Sequence, residues 1–304
     1  MMKDIYIIGN GVIAKALAVA LVLNNKNVTI LRGSVDQQPS SIENIQVETA
    51  DGTLAAEVKV STLSNYEKLD GIILLTNKSF GNKELADKLK SKADNSPIVF
   101  LQNGLHVENV FIEHGFLDLY RCVLFATSQS IDINKVKFRS VANSPVGVIK
   151  GSYAVLDYII TELTTPLFSF KSEEDIQTVI WKKVISNCVF NSICPLLEVD
   201  NGVFHRDYVA LELAKTVMTE CLAVANENGI SLSMEDVLQN VLAISKMSDG
   251  QRISTYQDIL NNRETEIDTF NFAVARAAKT ALLPTTILLG KLIKIKSGLH
   301  KNPL

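Results

Sequence analysis

The chain has 304 residues, 47% of them apolar and 21% charged, with a formal net charge of -3. That length suits two domains better than one. The weak negative charge excludes a bulk positive field that would draw nucleic acid or an anionic membrane, so an anionic ligand has to be held by a few local cations.

The first half alternates strand and helix patterns. Lys3–Ile8 reads as a strand, Gly11–Asn24 as a helix and Asn27–Leu31 as a second strand. Ile45–Val60 reads as a hairpin turning at Asp51-Gly52. Gly71–Leu75 and Pro97–Leu101 read as buried strands on either side of a helix over Gly81–Lys92. Strand patterns follow at Arg121–Ala126, Lys135–Val141 and Val146–Ile149, then a helix at Tyr153–Leu163 and a strand at Leu167–Phe170. Such alternation predicts a mostly parallel sheet covered by helices.

From Ser172 the periodicity is helical almost to the end. Ser172 with Asp175 has the spacing of a capping box opening a long helix to about Ile193. Asp207–Asn228 is a second helix, and Ser233 with Asp236 caps a third. Thr265 with Asp268 is expected to cap a fourth running to about Ala281, and Thr285–Lys296 is a fifth. The fold expected is α/β: an N-terminal Rossmann-type doubly wound sheet over 1–170, followed by an all-α C-terminal domain over 171–304.

The cysteines, Cys122, Cys188, Cys194 and Cys221, lie in apolar surroundings and form no CxxC pair. Buried, reduced thiols in a cytoplasmic protein are expected. The histidines are scattered without ligand spacing, so no metal is expected. The N-terminus reads without a signal peptide. The longest apolar run, Ala16–Leu23, is far short of the ~20 residues that span a bilayer.

Gly9-Asn10-Gly11-Val12-Ile13-Ala14 stands between a strand and a helix, the context in which GxGxxG/A binds a dinucleotide. Gly9 permits the turn, Gly11 lets backbone approach a pyrophosphate, and Ala14 keeps helix and strand close. The helix N-terminus adds free N–H groups and a positive dipole end. At the end of the second strand, where an NAD enzyme usually carries an acid, Arg32 follows Leu31. A guanidinium there pairs with a 2′-phosphate, which favours NADP(H).

Lys183, Asn187 and Asn191 recur at i, i+4 and i+8 within a helix that is otherwise mostly apolar. They form one polar stripe. Buried polar groups need partners, or each costs about 1–3 kcal/mol. Two readings fit: a structural network bridging helices, or groups facing a cofactor cleft. In the second, Lys183 donates a proton to a forming alkoxide and stabilises its growing charge. An ordinary ammonium suffices for that direction, because an alkoxide is a far stronger base than an amine. Taken alone, Glu266 reads as a first-turn acid complementing a helix dipole, and Ser254 as a cap or turn residue.

Taken in order, these features resemble the ketopantoate reductase (2-dehydropantoate 2-reductase) family over nearly the whole chain. They comprise the glycine motif, Arg32, Leu75-Thr76-Asn77-Lys78, Leu101-Gln102-Asn103-Gly104, the Trp181-x-Lys183-x-x-x-Asn187-x-x-x-Asn191 helix, and Ser254…Gln257-Asp258…Thr265-Glu266-Ile267-Asp268. The resemblance implies Lys183 as general acid and Glu266 as its acidic partner holding the substrate hydroxyl. It implies Asn187, Asn191 and Ser254 as substrate-orienting groups, Asn103 near the nicotinamide, and Lys78 in the cofactor cleft. It also implies hydride transfer from NADPH to ketopantoate, giving pantoate for coenzyme A synthesis. The sequence departs from the family pattern at His106, along Leu124–Ile131, at Phe272 and at Thr286. Those departures leave room for a different 2-keto acid. A 3-hydroxy acid dehydrogenase, or a non-catalytic NADP(H) sensor, is an alternative of the same architecture; a sensor has no need of a proton donor. The partners expected are a small 2-keto acid and no nucleic acid or membrane, in a monomer or homodimer.

Overall fold

The computed structural model describes residues 4–33, 35–93 and 95–301. The chain divides into two compact units, Met1–Gln102 with Val107–Ile176, and Asn103–His106 with Gln177–Leu304.

In the first unit the elements run β1 (Asp4–Ile8), α1 (Val12–Leu23), β2 (Val28–Arg32), β3 (Ser41–Thr49), β4 (Gly52–Thr62), β5 (Gly71–Leu75), α2 (Asn82–Leu89), β6 (Ile98–Phe100), α3 (Asn109–Glu113), β7 (Leu119–Cys122), β8 (Ala126–Asp132), β9 (Lys135–Ser140), β10 (Ser144–Lys150), α4 (Tyr153–Leu163) and β11 (Phe170–Ser172). Lys3, expected to open the first strand, lies outside the described residues. All the strands form one mixed sheet in the order β11-β10-β7-β6-β5-β1-β2-β4-β3-β9-β8. Its centre is parallel: β1 pairs with β2 and β5, β5 with β6, β6 with β7, and β2 with β4. The expected Rossmann-type sheet is therefore present, widened by two hairpins.

α1 is apolar on every side, which suits a helix with no solvent face. Ala14 through Leu21 are all buried, Lys15 included. The enclosure comes from the two ends of the sheet. β3, β4, β8 and β9 pack against α1, and Phe138 on β9 meets Phe168, just before β11, with ring centroids 4.4 Å apart. Each large apolar side chain so enclosed contributes about 1.5–3 kcal/mol.

Several expected elements shift. The strand expected over Arg121–Ala126 breaks between Cys122 and Ala126, because the chain changes partners there. Val123 N–H donates to Pro145 O at 2.9 Å, within β10, whereas Phe125 O accepts from Val141 N–H at 2.9 Å, just past the end of β9. The strand expected at Leu167–Phe170 instead covers Phe170–Ser172, in parallel register with Ser144–Val146. Ser172 is thus a strand residue and not a helix cap.

The second unit is helical: α5 (Ile176–Leu197), α6 (Val203–Arg206), α7 (Tyr208–Glu227), α8 (Met234–Met247), α9 (Ser254–Leu260), α10 (Asn271–Ala277) and α11 (Pro284–Lys301). Asp207 caps α7 through Ala210 N–H at 2.8 Å, and Ser233 caps α8 through Asp236 N–H at 3.0 Å. Phe190 of α5 meets Phe204 of α6 edge to face, centroids 4.8 Å apart. The helix expected from Thr265 to Ala281 is broken. A single 3-10 turn covers Ile267–Thr269, and α10 starts afresh at Asn271. Among the described residues, no helix is long and apolar enough to cross a membrane. All the cysteines are free and buried.

Candidate functional site

In the first unit, the β1–α1 turn is fixed by bonds to its neighbours on both sides. Gly9 N–H donates to Leu31 O at 2.8 Å, and Thr76 and Asn77 N–H both donate to Ile8 O, at 2.9 and 3.1 Å. Gly9 has φ +115°, and a Cβ there would stand 2.7 Å from Thr76 Oγ1 and 2.8 Å from Asn77 N. Only glycine fits that backbone. Gly11 differs. It is the N-cap of α1, at φ -82°, with no side-chain cap and no acid in the first turn. A Cβ on it meets nothing within 4 Å. Its need for glycine is therefore not internal to the fold. Val12, Ile13 and Ala14 follow as the first helical residues, with Ala14 fully buried.

This turn offers both donors and acceptors to a polar ligand. The N-terminal N–H groups of α1 have no side-chain cap. Nearby, Asn10 Oδ1, Asn77 Oδ1 and Ser79 Oγ are buried and find no hydrogen-bond partner among the described residues. Buried polar atoms seldom go unsatisfied in a finished structure unless something else binds them. A polar dinucleotide fits this set of donors and acceptors.

The loops after β5 and β6 are locked together by a pair of amides. Asn82 Nδ2 donates to Gln102 Oε1 at 2.8 Å, and Gln102 Nε2 donates back to Asn82 Oδ1 at 2.7 Å. The same two amides reach Val107 O and Asn77 O. Lys78, half-buried, follows Asn77 in this frame. Gln102 belongs to a motif singled out in the sequence, but Asn82 does not. Its role depends on a contact 20 residues away in sequence.

Arg32 ends β2, next to the glycine turn. Its Nη2 is 2.8 Å from Glu43 Oε1, and its Nη1 donates to Gln38 Oε1 at 3.3 Å. The sequence pointed to the arginine but not to its acidic partner on β3. Lys15, buried on α1, donates to Ile133 O. Burial lowers its pKa, and Glu43 opposes that shift.

In the second unit, α5 carries the polar stripe. Lys183 and Asn187 are half-buried, Asn191 is buried, and their helical neighbours Val184, Ile185, Cys188, Val189 and Phe190 are buried. Asn191 Oδ1 accepts from Ser254 Oγ at 3.3 Å and from Thr255 N–H at 3.3 Å. Ser254 is the first residue of α9, and its hydroxyl serves α5 rather than capping its own helix. Four residues after Asn191, Pro195 lies inside α5. Lacking an N–H, it leaves the Asn191 carbonyl without the usual helical donor.

Glu266 is half-buried and precedes the 3-10 turn, so it is not a first-turn acid of an α-helix. Asn103 is brought into this unit by the residues after it. Leu105 N–H donates to Thr269 O at 3.0 Å, and Gly104, at φ +107°, packs so closely on Thr269 that a Cβ would overlap it. The segment bearing Asn103 thus rests on the segment bearing Glu266. His106, one of the sequence departures, adopts φ +59° and is exposed.

Comparison with known proteins adds the following. A family model described as ketopantoate reductase PanE/ApbA matches residues 5–142, and its C-terminal counterpart matches residues 175–293. A 2-dehydropantoate 2-reductase of Pyrococcus abyssi (strain GE5 / Orsay) is 27% identical over 303 residues, covering 97% of this chain and 98% of its own. Among solved structures, the ternary complex of D-mandelate dehydrogenase with NADH and anilino(oxo)acetate superposes with TM-score 0.86 at 20% identity, covering 98% of this chain and 99% of its own. A PanE/ApbA family ketopantoate reductase from Ralstonia eutropha JMP134 gives TM-score 0.85 at 19% identity, covering 98% and 100%. At such identities these two likenesses speak to the fold.

Proposed function

The chain belongs to the ketopantoate reductase PanE/ApbA family of oxidoreductases acting on the CH–OH/C=O couple, and on that premise we propose that it reduces ketopantoate to pantoate with NADPH, for pantothenate and coenzyme A synthesis. The buried free thiols suit a reducing compartment, and the reaction is assigned to the cytoplasm.

The observation that carries the proposal is the stripe on α5. Two half-buried polar groups, Lys183 and Asn187, lead to a buried third, Asn191, which is held by Ser254. A purely structural network would bury all three.

When bound, the reduced nicotinamide supplies a hydride to the substrate carbonyl carbon. Gly9 through Ala14 would hold its pyrophosphate, Arg32 would meet the 2′-phosphate, Lys78 would line the cofactor cleft and Asn103 would lie near the nicotinamide end. Lys183 Nζ donates the proton to the carbonyl oxygen, and its charge stabilises that oxygen as negative charge grows. Asn187, Asn191 and Ser254 orient the keto acid and its carboxylate. Glu266 accepts a hydrogen bond from the substrate hydroxyl. Steady-state oxidation of NADPH with ketopantoate tests the assignment. Saturable turnover is expected, and turnover no faster than the enzyme-free background contradicts it.

A further inference from the structure

We infer that Glu43 is a specificity-determining residue at the adenosine end of the cofactor, tempering the preference for NADPH over NADH that Arg32 confers. The inference rests on the assignment of the first unit as an NADP(H) site.

Arg32 follows Leu31, whose carbonyl holds the glycine turn through Gly9 N–H at 2.8 Å. That strand end is where a Rossmann unit meets the ribose 2′ substituent. An arginine alone there favours a phosphate. Arg32 is not alone, because Glu43 Oε1 lies 2.8 Å from its Nη2. Glu43 stands on β3, which lies beyond β4 from β2 in the sheet, so its long side chain reaches back toward the β2 end. Ser41 Oγ donates to the same carboxylate oxygen at 3.3 Å, and Gln38 takes Nη1 of Arg32. The two charged side chains are 21% and 19% exposed. Lys15, on the helix that follows the glycine turn, also feels the Glu43 charge.

This placement treats the two cofactors differently. A 2′-phosphate that approaches the guanidinium meets a carboxylate already on one of its nitrogens. Like-charge repulsion then offsets part of the attraction. A 2′-hydroxyl meets no such repulsion, and the carboxylate offers it an acceptor, as the acid of an NAD site does. The Arg32–Glu43 couple therefore serves either substituent, and discrimination is weaker than Arg32 alone would give.

The test is fluorescence titration of NADPH and NADH into the wild type, Glu43→Gln and Arg32→Ala. Glu43→Gln keeps the shape and a hydrogen-bonding oxygen while removing the charge. It is expected to raise the ratio Kd(NADH)/Kd(NADPH) roughly fivefold, the scale of one partly exposed charge interaction. A ratio that stays within twofold of the wild type, or falls, overturns the inference. A fall would mean that Glu43 only holds Arg32 in place. Arg32→Ala tests the underlying assignment separately and is expected to lower the ratio. If the ratio is unchanged in that variant, the NADP(H) assignment itself fails; if it falls there while Glu43→Gln has no effect, only the role of Glu43 is lost.

Discussion

Ser254 Oγ lies 3.3 Å from Asn191 Oδ1, joining two helices across 63 positions of sequence. The neighbouring Thr255 N–H reaches the same oxygen at 3.3 Å. One buried amide therefore fixes the start of α9 against the middle of α5.

Asn191→Ala removes the acceptor for both donors and is expected to cost about 1–3 kcal/mol. Ser254→Ala removes one donor and leaves the Thr255 bond, so its cost should be smaller. Both variants should raise KM for the keto acid more than KM for NADPH. Urea unfolding together with steady-state kinetics checks both expectations.

The two glycines of the β1–α1 turn should separate fold from function. Gly9→Ala forces a side chain into Thr76 and Asn77 at a positive φ and is expected to destabilise the first unit by about 3 kcal/mol or more. Gly11→Ala meets open space. It should leave the melting temperature nearly unchanged while weakening NADPH binding about tenfold or more, because the added carbon occupies the approach to the helix N-terminus. Thermal melts and cofactor titration of the two variants decide the matter.

Acid stability should depend on Glu227. Its carboxylate accepts from Thr280 Oγ1 and from the N–H groups of Lys279, Thr280 and Ala281. The Thr280 hydroxyl, first among these bonds, brings its pKa down from 4.5 to about 2. A depressed carboxylate contributes stability that is fully present above its unfolded value and is lost as pH falls from about 4.5 toward 2. Glu227→Gln should therefore flatten the acid limb of the stability curve in that window and leave its shape near pH 7 unaltered. Denaturant unfolding at a series of pH values measures this.

Much of the scaffold was legible because its signals are local. Gly9 and Gly11 sit between a strand and a helix within ten residues. Asp51-Gly52 marks its own hairpin, which turns between Thr49 and Gly52. The helix expected near Tyr153–Leu163 covers those residues. What could not be read depends on pairing at a distance. The break after Cys122 exists because the chain leaves β10 for β9. Ser172 resembles a cap only until its partner Val146 is known. Thr265 and Asp268 have cap spacing, but Phe270 takes φ -109° and ψ -96° and interrupts the helix. In the candidate site the same division holds. Arg32 and the Lys183 stripe announce themselves by position and spacing, whereas Glu43 and Asn82 matter only through partners that folding supplies.

The central claim is that Lys183 protonates the substrate oxygen, and it is tested most directly by measuring turnover and NADPH affinity together in the wild type and Lys183→Ala. The expected result is NADPH binding close to that of the wild type, with ketopantoate turnover reduced about a hundredfold or more. Turnover in Lys183→Ala equal to that of the wild type would contradict it.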